Sequence, residues 1–272
     1  MKALTFTLIN PPEERLDLSI LTPSTLAELT RNEIAKLRIG TSRRPASVGD
    51  LFKITGSDPA NIIFEGGHSR FDGVASGMTG GSIRLVGDAG NQIARAMTGG
   101  SLYIDGSVGR HAGSGMTGGR VEIRGNAGDN VGGPLAGEIT GMDGGVLIIR
   151  GKAGDYAGDR LRRGTIALCK GCGDYPGYRM IAGTIVILGR SGIMPGYLMK
   201  RGTLLFDRQP EHLSPTFLPC GEPDSPFAGL LDRYLISEKI TDRALLGARP
   251  GKFAGDNAVS GKGEILYRKK GR

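Results

Sequence analysis

The sequence predicts a mainly β protein: a right-handed parallel β-helix of about seven or eight 19-residue coils, with a small α/β cap at each end. Three observations carry this expectation. Glycine makes up 47 of the 272 residues, and 36 of these lie between positions 61 and 210, against a usual share near ~7%. A motif returns at a fixed spacing, as Met78-Thr79-Gly80-Gly81, Met97-Thr98-Gly99-Gly100, Met116-Thr117-Gly118-Gly119 and Met142-Asp143-Gly144-Gly145. After each motif, apolar and polar side chains alternate, the period-two pattern of a strand with one buried face.

The elements follow in order. Ala3 to Leu8 reads as a strand. Thr22-Pro23-Ser24-Thr25 opens a short helix, with Thr25 and Glu28 at capping-box spacing. Leu51-Phe52-Lys53-Ile54 reads as another strand, so residues 1–56 form an N-terminal α/β cap. Asn61 to Phe64 begins a first, degenerate coil of a β-helix over 57–208. The last Gly of each copy falls at 81, 100, 119, 145, 164, 183 and 202, so the period is 19 with one spacing of 26. One copy therefore holds a seven-residue insertion, near Gly133 to Ile139.

After each Gly, the second and fourth of five places are apolar: Ile83/Leu85, Leu102/Ile104, Val121/Ile123, Leu147/Ile149, Ile166/Leu168, Ile185/Ile187 and Leu204/Phe206. A GxxGxxxG turn follows. Its structural glycines are Gly87 and Gly90; Gly106, Gly109 and Gly113; Gly125, Gly128 and Gly132; Gly151, Gly154 and Gly158; Gly173 and Gly177; Gly189, Gly192 and Gly196. Ala94 and Lys170 take the two missing slots. A five-residue strand cannot bury a face alone, but equivalent strands stacked in parallel about 4.8 Å apart can, with right-handed connections. Met78, Met97, Met116, Met142, Met180 and Met199 share one repeat position, interrupted by Leu161. This reads as an internal apolar ladder in preference to a soft-metal thioether site, because no His or Cys joins it in register.

A proline-rich loop over 209–224 leaves the last coil. Phe227 to Ile240 has apolar residues at helical spacing and is expected to cover the far end. Glu264 to Tyr267 reads as a strand before a basic tail, so residues 209–272 form a C-terminal helical cap and tail.

Composition excludes several classes. The three-residue glycine period of collagen is absent, and interior glycines at about 1 kcal/mol each argue against a helical bundle. No apolar run approaches a membrane span, and Met1 to Phe6 lacks a signal-peptide pattern. Three Cys make no disulfide framework, so a reducing cytoplasm is expected. Nucleic acid is not an expected partner, since Trp is absent and aromatics are 6%.

Tests for chemistry give little. Cys169 and Cys172 form a lone CxxC, read as structural thiols with a metal or redox site as the alternative. His68, His111 and His212 stand apart, without HxH or HExxH spacing, so no metal site is expected. No GxSxG elbow, dinucleotide loop, phosphate loop or calcium nonapeptide is completed. No catalytic residue is assigned. Charge says more: of the net +8, residues 160–201 carry eight Lys/Arg against the single acid Asp174. That face suits an acidic partner, an anionic chain or solvent.

The stacked GxxGxxxG repeats resemble the domain shared by the C subunit of formylmethanofuran dehydrogenase and the C-terminal domain of the glutamate synthase large subunit. The flanks decide. Leu21-Thr22-Pro23 through Gly40 and Asp50-Leu51-Phe52-Lys53-Ile54-Thr55-Gly56 look like the start of the dehydrogenase C subunit. Phe253-Ala254-Gly255-Asp256-Asn257-Ala258-Val259-Ser260-Gly261-Lys262-Gly263-Glu264-Ile265 looks like its C-terminal signature. Glutamate synthase would place the domain behind glutaminase and flavin domains, for which 272 residues leave no room.

The resemblance implies a non-catalytic scaffold in a multi-protein one-carbon enzyme, nearer to the bacterial formyltransferase/hydrolase complex of methylotrophy than to the archaeal molybdenum or tungsten dehydrogenase. It implies hydrolase and formyltransferase subunits as partners, a methanofuran- or methylofuran-type cofactor carrying the formyl group to formate, and zinc in another subunit. No cofactor is expected on this chain alone. A candidate track for an anionic cofactor tail comprises Arg160, Arg162, Arg163, Lys170, Arg190, Lys200 and Arg201. The alternative is a β-helical enzyme or binding module acting on an anionic polymer.

Overall fold

The structure is a computed structural model that describes residues 2–40 and 46–269. Met1 and the last three residues of the expected basic tail lie outside the described residues. The chain is mainly β. Its N-terminal part comprises β1 (Ala3–Leu8), β2 (Leu16–Asp17), α1 (Pro23–Leu26), α2 (Arg31–Lys36), α3 (Val48–Leu51), β3 (Phe52–Thr55), β4 (Asp58–Gly67) and β5 (Phe71–Asp72). The repeats supply β6 (Ser82–Gly87), β7 (Ser101–Ile104), β8 (Arg120–Ile123), β9 (Asp143–Ile149), β10 (Arg163–Leu168), β11 (Thr184–Ile187) and β12 (Thr203–Phe206). β13 (Leu218–Pro219), α4 (Pro226–Ser237), β14 (Gly251–Gly255) and β15 (Gly263–Tyr267) complete it.

Among the described residues thirteen strands form one sheet, and from β1 through β4, β6–β12 and β15 neighbours run parallel. The register is the sequence period: Ile83 faces Leu102, Leu102 faces Val121, Ile166 faces Ile185 and Ile185 faces Leu204. All seven apolar pairs read from the sequence are buried on the inner face. The Met column and Leu161 are fully buried beside them. Each ladder Met reaches under the next repeat: a Cβ at Gly119 would meet the Met97 methyl at 2.8 Å, and Gly119 also sits at φ +83°. Glycine is required there twice over, by backbone conformation and by space.

The middle glycine of five of the six turns has a different cause. Asp72, Asn91, Asp129, Asp155 and Asp174 each accept a backbone N–H from the following repeat: Asn91, Arg110, Asp155, Asp174 and Ile193 donate at 2.6, 2.9, 3.1, 2.8 and 3.0 Å. A Cβ at Gly90, Gly109, Gly154, Gly173 or Gly192 would collide with that acceptor oxygen. Gly and Asx thus alternate along one edge, where side chains satisfy backbone donors that no strand pairs.

Two expectations need correction. The helix begun at Pro23 lasts one turn and is capped by Thr22, not by Thr25 with Glu28. It stops once Leu26 is buried, and the capping box lies one helix later, where Thr30 and Glu33 bracket α2. The helix expected at the far end lies instead along the flank. Ala228, Leu231 and Leu235 of α4 pack on Ile148, Ala167, Val186, Leu205 and Leu266, the third places of β9–β12 and β15. Those places point outward, and they are apolar because α4 covers them. In β6–β8 the third places are Arg84, Tyr103 and Glu122, and the face stays polar. The sheet ends are closed by reversals: β3 pairs antiparallel with β1, and β14 with β15.

The Gly–Asx edge yields a quantitative expectation. Gly173→Ala and Asp155→Ala should each cost roughly 1–3 kcal/mol, by overpacking and by loss of an acceptor. The double variant should cost about 1 kcal/mol less than their sum, since removing the carboxylate frees the space. Urea unfolding of the four proteins measures this; strict additivity would refute the steric account.

Candidate functional site

The seven candidate basic residues fall at two corners of the repeat. Arg160, Arg162, Lys200 and Arg201 precede strands, Arg163 opens β10, and Arg179 joins them one repeat after Arg160. Lys170 and Arg190 follow strands. The seven residues from Arg163 to Lys170 put the two corners about 20 Å apart at strand rise. They are therefore two patches, not one track. Sequence spacing alone brings residues 19 apart together but does not say which of them share a corner.

At the first corner, Arg160 donates from Nη1 to the Glu138 carbonyl at 3.0 Å, and Arg162 lies 3.4 Å from Asp143. Among the described residues Arg163, Lys200 and Arg201 have no ion pair. Arg160, Arg179 and Lys200 line a groove of about 320 Å³ with Ile139, Ile181, Leu198 and Val259. Of the apolar members, Ile139 is named by the sequence as part of the insertion and Val259 as part of the C-terminal signature, but spacing does not place them beside the basic residues. Val259 is placed there by Asp256, fully buried, whose carboxylate accepts from Leu198 and Ala258 N–H. Ile139 belongs to the insertion, which is tied down where Glu138 accepts from Leu135 N–H and Arg95, both at 2.9 Å. These two contacts hold the Glu138 carboxyl below its ordinary range, the Leu135 bond first.

Next to the groove, Tyr156 stacks on Tyr175 (5.2 Å, 8°) and Tyr178 on Tyr197 (6.1 Å, 21°), with the Arg179 guanidinium 4.8 Å from the Tyr178 ring centre. The stacking pairs are one period apart. Asp159 sits beneath Arg160, and burial pushes its carboxyl up despite the neighbouring Arg160 and Arg179. The corner joins cations, tyrosine faces and an apolar floor, a composition suited to a protein or organic-anion surface.

The remaining candidates disperse. Cys169 packs in the outer cluster under α4, whereas Cys172 packs against the inner core. The CxxC side chains thus pack into different clusters. The His68 Nδ1 accepts from Arg70 N–H at 3.1 Å. His111 is half-buried near the insertion, and burial lowers its pKa.

A protein of Gly-cornered, stacked parallel strands, with a flank helix and a basic corner, is a repeat subunit of the kind the sequence suggested. No protein-family model matches the chain. It is 53% identical over 253 residues to the C subunit of the formyltransferase/hydrolase complex Fhc from Methylorubrum extorquens, covering 93% of this chain and 95% of that one. It also superposes, at TM-score 0.92 and 42% identity, on a chain in the crystal structure of the Methylorubrum extorquens FhcABCD complex with methylofuran, covering 98% of this chain and 100% of that one. The chain belongs to the C-subunit family of the formyltransferase/hydrolase complex.

The cysteines give a direct check. Burial pushes the Cys172 thiol up to about 12 and raises Cys169 as well, while Cys220 is exposed. Cys169 and Cys172 are half-buried, and thiols held protonated by their surroundings are poor nucleophiles. Ellman's reagent at pH 8 should therefore titrate one thiol rapidly in the native chain, lost in Cys220→Ser, and three after denaturation. Rapid reaction of Cys169 or Cys172 would refute the shielding of these two thiols.

Proposed function

We propose that this chain is the non-catalytic scaffold subunit of a formyltransferase/hydrolase complex in one-carbon metabolism. Partner subunits supply formyl transfer and a zinc-dependent hydrolase, and a methylofuran-type cofactor carries the formyl group that leaves as formate. The observation that carries this reading is the full-length likeness to the Fhc C subunit, flanks included. The side-chain chemistry agrees: Asp129, Asp155 and Asp174 hold backbone donors, and Asp105, Glu122 and Asp143 face arginines. Carboxylates so engaged stiffen a framework and are poorly placed for acid–base work.

The framework itself we read as a right-handed parallel β-helix over 57–208, between an α/β cap at 1–56 and a C-terminal segment at 209–272. The period-matched register supports this, as do the parallel bridges Val108–Ala127 and Ala153–Cys172 on a second side and the handedness of parallel crossovers. The basic corner at Arg160, Arg162, Arg163, Lys200 and Arg201 is the docking face for an acidic partner subunit. Lys170 and Arg190 form a separate patch. Among the described residues no helix is long and apolar enough to cross a membrane; we place the complex in the cytoplasm.

Affinity capture of the tagged chain from native extract tests this. Hydrolase and formyltransferase subunits should co-elute, and Lys200→Glu with Arg201→Glu should reduce their recovery at least several-fold without changing the chain's circular dichroism. Elution as a lone 28.6 kDa monomer would overturn the scaffold reading. Turnover of an anionic polymer by the isolated chain would favour the enzyme alternative. If the variant keeps its protein partners but loses the anionic cofactor, the corner is a cofactor track.

A further inference from the structure

A second cleft lies on the side of the repeats away from the basic corner, where α4 ends. Its floor follows the column of fifth strand places, with Arg150, Leu188, Asp207 and Arg268 lining it and Cys169 of the same column outside the lining. Arg150, Cys169, Leu188, Asp207 and Arg268 follow one another repeat by repeat, each tied to the preceding strand by its N–H: Cys169 to Ile149, Leu188 to Leu168, Asp207 to Ile187 and Arg268 to Phe206. Four steps of strand spacing make the column about 19 Å long. The wall is Ile236 with residues 239–243 and Leu245, and the open cleft has a volume of about 680 Å³, within the ~300–1,000 Å³ of small-molecule sites.

The lining is built for an anion with an apolar stem. Leu188, Ile236, Ile240 and Leu245 are its apolar members. Arg150 is fixed in advance: its Nε donates to Glu122 and its Nη2 to the Lys239 carbonyl, both at 2.8 Å. Its Nη1 meets only the Cys169 sulfur, at 3.9 Å. Among the described residues Lys239, Arg243 and Arg268 have no ion pair. Asp207 is engaged by Arg208 at 3.1 Å, and Asp242 stands exposed at the rim. The hydroxyl of Thr241 is buried in this lining without a hydrogen-bond partner. A buried hydroxyl left unpaired is costly; it lies beneath the surface of the cleft, and the cations above it are the groups that a carboxylate would meet.

We infer that this cleft is a carboxylate-binding site, taking an aliphatic dicarboxylate whose methylene stem lies over Leu188 and Ile240 and whose ends meet Arg150 and the Arg243/Arg268 side. The same chemistry is offered by a free organic acid and by acidic side chains on a partner subunit's extended segment. The inference does not depend on the scaffold reading, because its first test uses the full chain alone.

Isothermal titration of the full chain with adipate should give saturable binding. Arg243→Ala and Arg268→Ala should each weaken it about ten-fold or more, as for a lost charge-assisted hydrogen bond. Hexanoate should bind more weakly than adipate, and Arg163→Ala, at the other corner, should leave adipate binding unchanged. Arg243 and Arg268 are exposed, so both variants keep the fold. If adipate does not bind but Arg243→Glu with Arg268→Glu strips partner subunits from the native complex, the carboxylate belongs to a partner segment and the site stands. Adipate binding that the variants do not alter would overturn it. So would absent binding together with an intact complex in the double variant.

Discussion

The structure depends on one constraint: nearly every polar backbone group along a repeat must find its partner one repeat away. Parallel neighbours offset by the sequence period meet this along the strands, where Thr165–Leu168 pair with Thr184–Ile187 residue by residue. At the turn there is no strand to pair with, and Asx carboxylates and amides take over, each holding an N–H of the following repeat. A buried unpaired donor costs about 1–3 kcal/mol, so one mismatched repeat would strand several at once. This is why a seven-residue insertion is accommodated outside the ladder. Asp129 still holds Asp155 N–H across 26 residues, and Lys152 N–H still reaches Asn126.

The same constraint explains how much was legible in the sequence. Apolar pairs and corner glycines are fixed by geometry repeated at every level, so the strands at Ala3–Leu8, 82–87 and onward could be placed from spacing alone. Features that occur once are harder. β13 and β14 have no internal repeat, and their pairing is made only by the long return of the chain to β15. The flank position of α4 did have a signal. The third strand place changes from Arg84, Tyr103 and Glu122 to Ile148, Ala167, Val186 and Leu205. An outward place that turns apolar over consecutive repeats needs a cover, and α4 is the amphipathic segment able to provide it. The basic residues were legible as a cluster but not as two corners, because the period fixes which residues stack and leaves the distance between columns to the fold.

Helix α4 also divides the outer surface. Over β9–β12 and β15 it builds a second apolar layer, and Arg120 and Arg150 fasten its C-terminal end through the Glu238 and Lys239 carbonyls, both bonds under 3 Å. Over β6–β8 the outer face carries Arg84, Asp105 and Arg124 in ion pairs exposed to solvent. Exposed pairs of this kind contribute little stability. The N-terminal half of the repeats therefore rests on its inner core, while the C-terminal half is held from both sides.

The two antiparallel ends carry a last consequence. Parallel stacks of identical strands are templates without a natural stop, and an open end invites another chain to continue the column. β3 at one end, and β14 with β13 beyond it at the other, interrupt the parallel stack with antiparallel pairs, so the count of parallel strands is fixed by the gene. Ten parallel strands among the described residues set nine intervals, about 43 Å at strand spacing. The molecule is thus a graduated ruler. Anything seated on two of its repeats is held apart by a whole number of strand spacings, and evolution can change that distance only by adding or deleting a complete repeat.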